Sequence, residues 1–180
     1  QTPILPAKRT GELRWRELKP GDPDLGAVIA PPAVRAQRFA QGAICLATYS
    51  NERLMGYIWL CADRYDEDEA RCTYVLERSG GAVFDFDLVV LPEFRMGLGF
   101  ASVWHCTNEY LRSHSCGCSF SRITRFNLIS RRSHARLGAT RVGRMVILKL
   151  WALEMIVATV PPYFHLSPPG KHGRAAVRLR

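Results

Sequence analysis

The chain has 180 residues, 47% of them hydrophobic, 23% charged and 10% aromatic, and a net charge of +9. That length suits one domain with a real core and falls short of two full domains, and the composition is ordinary for a globular protein, with no cysteine spacing that suggests a disulfide framework. The charge is lopsided: residues 1–111 hold 12 basic and 15 acidic residues, while residues 112–180 hold 13 basic residues and one acidic residue, Glu154.

In chain order, residues 1–10 read as an irregular lead-in without the apolar stretch of a secretory signal, so the expected location is cytoplasmic and the six cysteines are expected as free thiols. Glu12–Leu18 alternates apolar and charged residues, as a half-buried strand does. Pro23–Gln41 is expected to be helical in part, broken by Pro31-Pro32. Ala43–Tyr49 and Leu54–Cys61 form a predicted hairpin around Ser50-Asn51-Glu52-Arg53. Asp63–Glu69 reads as an acidic loop, Cys72–Leu76 as a strand, and Gly80-Gly81 as a turn. Ala82–Leu91 is β-branched and aromatic-rich, which predicts a central strand. A helix is predicted over Gly97–Arg112, a short strand over Ser119–Arg125 and a short helix over Ser130–Leu137, closing on Gly138. Val142–Leu150 and Leu153–Val160 read as strands. The Pro-, Gly- and Arg-rich residues 161–180 read as a tail along the surface of a single domain spanning 1–160. The longest apolar run, Met145–Val160, is interrupted by Lys149 and Glu154 and is too short to span a bilayer, so no membrane partner is expected. This order of elements predicts a mixed α/β sheet flanked by helices.

The chemistry concentrates where the central strand meets the helix. From Leu91 the chain turns through Pro92, Glu93, Phe94, Arg95, Met96, Gly97, Leu98 and Gly99. Glycines there let the backbone approach a ligand. Free N–H groups at the helix start favour an anion, and Arg95 adds a cation suited to phosphate. The loop lacks the Lys-Ser/Thr of a P-loop and the spacing of the dinucleotide fingerprint. Two carboxylates, Asp85 and Asp87, lie on the strand just before it, on one face if the strand is regular, and either could act as a general base. Asn127 either caps the following helix or bonds a ligand. His114-Ser-Cys116-Gly-Cys118 is a poor zinc motif, since Cys-x-Cys with no second ligand pair does not build a tetrahedral site, and no metal is expected. The basic second part of the chain suits a phosphorylated cofactor or, as a less favoured partner, nucleic acid.

Leu88-Val-Val-Leu-Pro-Glu-Phe-Arg95-Met-Gly97-Leu-Gly99 resembles the acetyl-CoA signature of the GNAT (Gcn5-related N-acetyltransferase) superfamily, and Asn127-Leu-Ile-Ser130-Arg-Arg-Ser-His134-Ala-Arg-Leu-Gly138-Ala139 resembles its second block. The two blocks cover roughly residues 82–150. The turn after Arg95 is one residue shorter than the family's, His134 stands at its customary tyrosine and Ala139 at its customary phenylalanine. The resemblance implies a mostly antiparallel, twisted GNAT-like sheet and an acyl-CoA-dependent N-acyltransferase, most simply an acetyltransferase, acting on a primary amine of a small molecule or protein. It implies acetyl-CoA or another acyl-CoA as cofactor. Val89, Val90, Leu91, Arg95, Met96, Gly97, Leu98, Gly99, Asn127 and Ser130 would bind it, with Asp87, Asp85 and His134 as candidate catalytic groups and Tyr74 ranked behind them. A homodimer is compatible with it. The alternative is a non-catalytic acyl-CoA-binding or polyanion-binding module.

Overall fold

The computed structural model describes residues 13–77, 81–169 and 173–179. The expected lead-in 1–10, Glu12 and Gly80 lie outside the described residues. A five-stranded sheet forms the centre, in the order β1 (Leu13–Leu18), β2 (Ile44–Ser50), β3 (Arg53–Ala62), β6 (Ala82–Val90), β7 (Cys118–Ser121). Its first four strands are antiparallel and β7 runs parallel to β6. The β2–β3 turn holds Asn51 and Glu52 at φ +47° and +63°, the left-handed pair that matches the twist of a tight hairpin.

Two apolar clusters sandwich this sheet. On one face α2 (Gly99–Ser113) lays Val103, Trp104, Tyr110 and Leu111 over Leu46, Ile58, Leu60 and Val83. The 3.6-residue spacing of those helix positions against the two-residue alternation of the strands is what makes the faces meet. The other face stacks Tyr65, Tyr74, Phe84 and Phe86, with Tyr65 and Phe86 centroids 4.0 Å apart. At Gly56 in β3 an added Cβ would lie 2.4 Å from the Val89 carbonyl oxygen, so only glycine lets β3 and β6 close at that level.

Four elements differ from expectation. Pro31-Pro32 separate a 3-10 turn (Pro23–Ala27) from α1 (Pro32–Ala40), but they also start α1: Pro31 is its N-cap and Pro32 its first residue, where a missing N–H costs nothing. The acidic loop contains a short strand, β4 (Arg64–Asp66), because it can pair with β5 (Cys72–Leu76). The predicted strand Ser119–Arg125 ends at Ser121. The largest correction concerns residues 161–180. They contain two strands, β10 (Phe164–Ser167) and β11 (Ala175–Leu179), and β11 runs parallel to β5 with Ala175, Val177 and Leu179 buried. The Ala-Ala-Val-Arg-Leu alternation is a strand signal, and the flanking Pro, Gly and Arg residues obscure it. Val177→Ala is therefore expected to cost about 2 kcal/mol, from two methyl groups' worth of burial plus a cavity, measured by denaturant melting; a surface tail would lose almost nothing.

A separate antiparallel sheet holds β8 (Met145–Leu150), β9 (Leu153–Ala158) and β10. α3 (Leu128–Arg136) lies between β7 and β8 in sequence. No helix among the described residues is long and apolar enough to cross a membrane.

Candidate active site

β6 and β7 pair only as far as Asp85 and Ser121. Beyond that point β6 continues to Val90 alongside β3 alone among the described residues, which leaves its other edge open to them over Phe86–Val90. Strand geometry says which groups face that edge. Leu91 donates its N–H to the Met55 carbonyl across β3, and Val89 pairs with Tyr57. Val90, between them, therefore turns its N–H and C=O to the opposite, open side. Its carbonyl accepts a hydrogen bond from Arg95 Nε at 2.9 Å. Both backbone groups of Leu91 are occupied, since its carbonyl accepts from the Phe94 N–H. Of the three backbones expected to meet a ligand, Val90 is the one aimed at the open edge.

The edge leads straight into the loop. Pro92–Phe94 makes one 3-10 turn, Gly97 takes φ +124°, and α2 begins at Gly99 with no side chain capping it. Gly99 is the tight point. A Cβ there would meet the Phe94 carbonyl oxygen at 2.3 Å and Val90 Cγ1 at 2.7 Å. Gly97 has open space around it, so its requirement is the backbone angle. Arg95, Met96, Gly97 and Leu98 are all exposed. The result is an exposed, uncapped helix N-terminus beside an arginine, at the end of an open strand edge.

The two carboxylates do not share a face. A β-bulge falls between Tyr57 and Trp59 of β3, opposite Asp87 and Leu88, and Asp87 takes φ +51°. The extra residue breaks the alternation. Asp85, beside Val83 of the α2-side cluster, is 3% exposed and accepts a hydrogen bond from Ser119 Oγ. Burial pushes its carboxyl up to about 7, against the bonds from Ser119 and Ser121 that favour the anion. Asp87 instead accepts from Arg38 Nη1 at 2.7 Å. Arg38 also binds Asp68 through Nε (2.8 Å) and Nη2 (2.6 Å), and its guanidinium lies over the rings of Trp59 and Phe86. Though buried, Arg38 thus stays paired: the two carboxylates and two aromatic faces replace the water it loses.

The second block forms α3. Asn127 is its N-cap, the side-chain oxygen accepting from Ser130 N at 3.0 Å, so of the two expectations for Asn127 the structure shows the cap. His134 is buried, edge-on to Phe100 and Trp104 of the first turns of α2. Its Nδ1 lies 2.7 Å from the Ser130 carbonyl oxygen and 3.2 Å from Ser130 Oγ. The contact to a carbonyl assigns a proton to Nδ1 and leaves Nε2 for other chemistry. α3 thus docks beside the uncapped end of α2 with Arg131, Arg132 and Arg136 exposed. Tyr74 is buried in the aromatic stack, and burial raises its hydroxyl far above the range of a proton donor at neutral pH.

Sequence reading missed Arg38, Asp68 and Ser119. Nothing local marks Arg38, which is one of two arginines on a short helix. Ser119 and Ser121 alternate on a strand and offered a weak signal, but their partner in β6 depends on the parallel pairing. A cavity of about 280 Å³ lies beyond Asp68, lined by Glu67, Glu69 and Glu154 but also by Arg71, Lys149 and Arg174, so its charge is nearly balanced.

No family model and no curated protein sequence matches the chain. Solved structures do. The aminoglycoside N-acetyltransferase AAC(6')-Iy in complex with CoA superposes with a TM-score of 0.54 at 14% identity, covering 76% of this chain and 98% of its own. The aminoglycoside acetyltransferase meta-AAC0020, from an uncultured soil metagenomic sample and in complex with trehalose, gives 0.54 at 10% identity over 77% and 95%. An integron cassette protein from the mobile metagenome of V. cholerae gives 0.50 at 14% identity over 73% and 87%. The chain therefore has the fold of these solved structures, the mixed α/β sheet flanked by helices that the resemblance to the GNAT superfamily implied.

Proposed function

We propose that this chain is an acyl-CoA-dependent N-acyltransferase, most simply an acetyltransferase, that acts on a primary amine. The observation that carries the reading is the open edge of β6 running into the uncapped N-terminus of α2. An extended pantetheine arm has the length and the amide groups to add to that edge as a strand would, and its pyrophosphate then reaches the helix start. AAC(6')-Iy was crystallised with CoA and with a CoA bisubstrate analogue, which supports the same cofactor here.

Val90 N–H is the backbone donor available to a thioester oxygen, and it is pre-oriented because β3 holds Leu91 and Val89 on either side. The arginine side chain now on the Val90 carbonyl swings to the phosphates when cofactor enters. Met96, Gly97 and Leu98 supply the exposed cradle, with buried Gly99 at its base, and Arg131 and Arg132, exposed on α3, are further candidates for the phosphates. Asn127 and Ser130 serve through α3: they fix its first turn and hold His134 against α2. Asp87 is the carboxylate nearest the strand's open end and draws the proton from the amine, directly or through water. Asp85 lies deeper and acts through its hydroxyl partner, Ser119. His134 delivers a proton to the leaving thiolate through Nε2, which it can do only as the imidazolium.

Calorimetric titration with acetyl-CoA should show one site per chain, and free thiol should appear when amines are supplied. A folded protein that takes up no heat at ~1 mM cofactor would refute the reading. Asp87→Asn is expected to lower kcat about a hundredfold while leaving cofactor affinity within a few-fold, the mark of a proton-transfer group rather than a binding one.

A further inference from the structure

We infer that the cavity beyond Asp68 is a binding site for a small zwitterion, a free α-amino acid. The cavity, about 280 Å³, lies between the acidic stretch Glu67–Glu69 and the tip of the β8–β9 hairpin, with Arg174 also in its wall. It has room for several waters or one small organic molecule, and is just below the sizes that take drug-like ligands. Most residues around it are charged, so an apolar occupant would strand those groups without water.

Which of these charges already have partners selects the ligand. Glu67 is paired with Arg122 at 2.7 Å and Glu69 with the same arginine at 2.8 Å. Glu154 accepts the Arg71 N–H at 2.6 Å and lies 3.6 Å from Lys149. Three groups remain. Asp68 gives its Oδ2 to Arg38, while its buried Oδ1 has no hydrogen-bond partner. Arg174 donates from Nη2 to the carbonyls of Glu67, Ala70 and Cys72, while its buried Nε has no hydrogen-bond partner and stands 4.0 Å from Asp66. The Arg71 guanidinium has a neutral partner, the Pro168 carbonyl at 3.3 Å, and no carboxylate among the described residues. Buried polar groups left in this way mark a missing partner.

A simple anion would meet the two guanidiniums but leave Asp68 without a donor, beside Glu67 and Glu69. A simple cation fails in the reverse way. A zwitterion satisfies both: its ammonium donates to Asp68, and its carboxylate accepts from Arg71 and Arg174. The hairpin tip points to the same ligand. Trp151 lines the cavity, is fully exposed and sits at φ +53°, where a bulky side chain is strained and glycine or asparagine is not. Its exposure shows that the ring packs on nothing in the described chain, and an indole face at the rim of a charged cavity attracts an ammonium. None of these groups belongs to the cofactor edge of β6, so amino-acid binding and acyl transfer stand or fall separately.

Ligand-observed NMR titration of the full chain with each free L-amino acid tests this, taken to ~10 mM so that even a millimolar site fills. At least one amino acid is expected to bind at a single site. Its methyl ester, which lacks the anion, and its N-acetyl derivative, which lacks the cation, should each bind at least about tenfold more weakly. Arg71→Gln and Trp151→Asn change side chains that hold no carboxylate and no packed ring, so both should melt like the parent while binding at least about tenfold more weakly. Should one variant fail to fold, the other decides. A folded parent that binds no amino acid overturns the inference. So does a derivative that binds as tightly as the amino acid itself, or parental affinity in either folded variant.

Discussion

Gly99→Ala is expected to destabilise the protein by about 2–3 kcal/mol and to abolish acetyl-CoA binding. The Cβ would enter 2.3 Å from the Phe94 carbonyl oxygen, a backbone atom that cannot turn away, and 2.7 Å from Val90 Cγ1. Relief requires moving α2 or the 3-10 turn, and both define the cradle. Denaturant melting and cofactor titration of the same sample separate the two effects. Gly97→Ala is the control. Nothing lies within 4 Å of its added methyl, so its cost comes from φ +124° alone, and its binding defect should be the smaller. Equal stability of the Gly99→Ala variant and the parent would show that the turn is not held by this contact.

The second large effect is a pH dependence of stability that one buried carboxyl creates. Asp85 is raised from 3.8 to about 7. Because its folded value exceeds its unfolded one, its contribution is fully present below about pH 4 and is lost as pH rises through 7. A shift of that size corresponds to about 4 kcal/mol between the two limits. The melting temperature of the parent is therefore expected to fall between pH 5 and pH 8. Asp85→Asn, uncharged throughout and able to keep a partner in Ser119, should be nearly flat over the same interval and the more stable protein at pH 8. Parallel slopes for the two proteins would mean that Asp85 is not desolvated as the fold implies.

The same aspartate shows where sequence reading stops. Asp85 and Asp87 stand two apart, and on a regular strand they would act as one pair. The bulge opposite Tyr57–Trp59 sends them to different partners, a serine of β7 and an arginine of α1. That bulge depends on pairing with β3 and on Arg38, 49 residues away, and neither leaves a local mark. Likewise Asn127 and His134 were recognisable as a block, but the role of each as cap and as buried ring came only with the docking of α3 on α2.

The elements that the sequence by itself determined are those set by short-range preferences. They include the β2–β3 hairpin with its turn, the β-branched run of β6, the Pro-Glu-Phe-Arg turn with its two glycines, and the helix that follows. Each depends on residues within a few positions, where backbone sterics and side-chain spacing decide the outcome. Tertiary structure alone decided what depends on distant pairing. Residues 175–179 became a buried strand because β5, about 100 positions earlier, offered a free parallel edge. Val90 became the exposed backbone donor because β7 parts from β6 after Asp85. The apolar residues of Met145–Val160, which read as core from sequence, divide between an inner face that is core and an outer face that is about half exposed, because among the described residues the clusters of the core pack against one side of that small sheet.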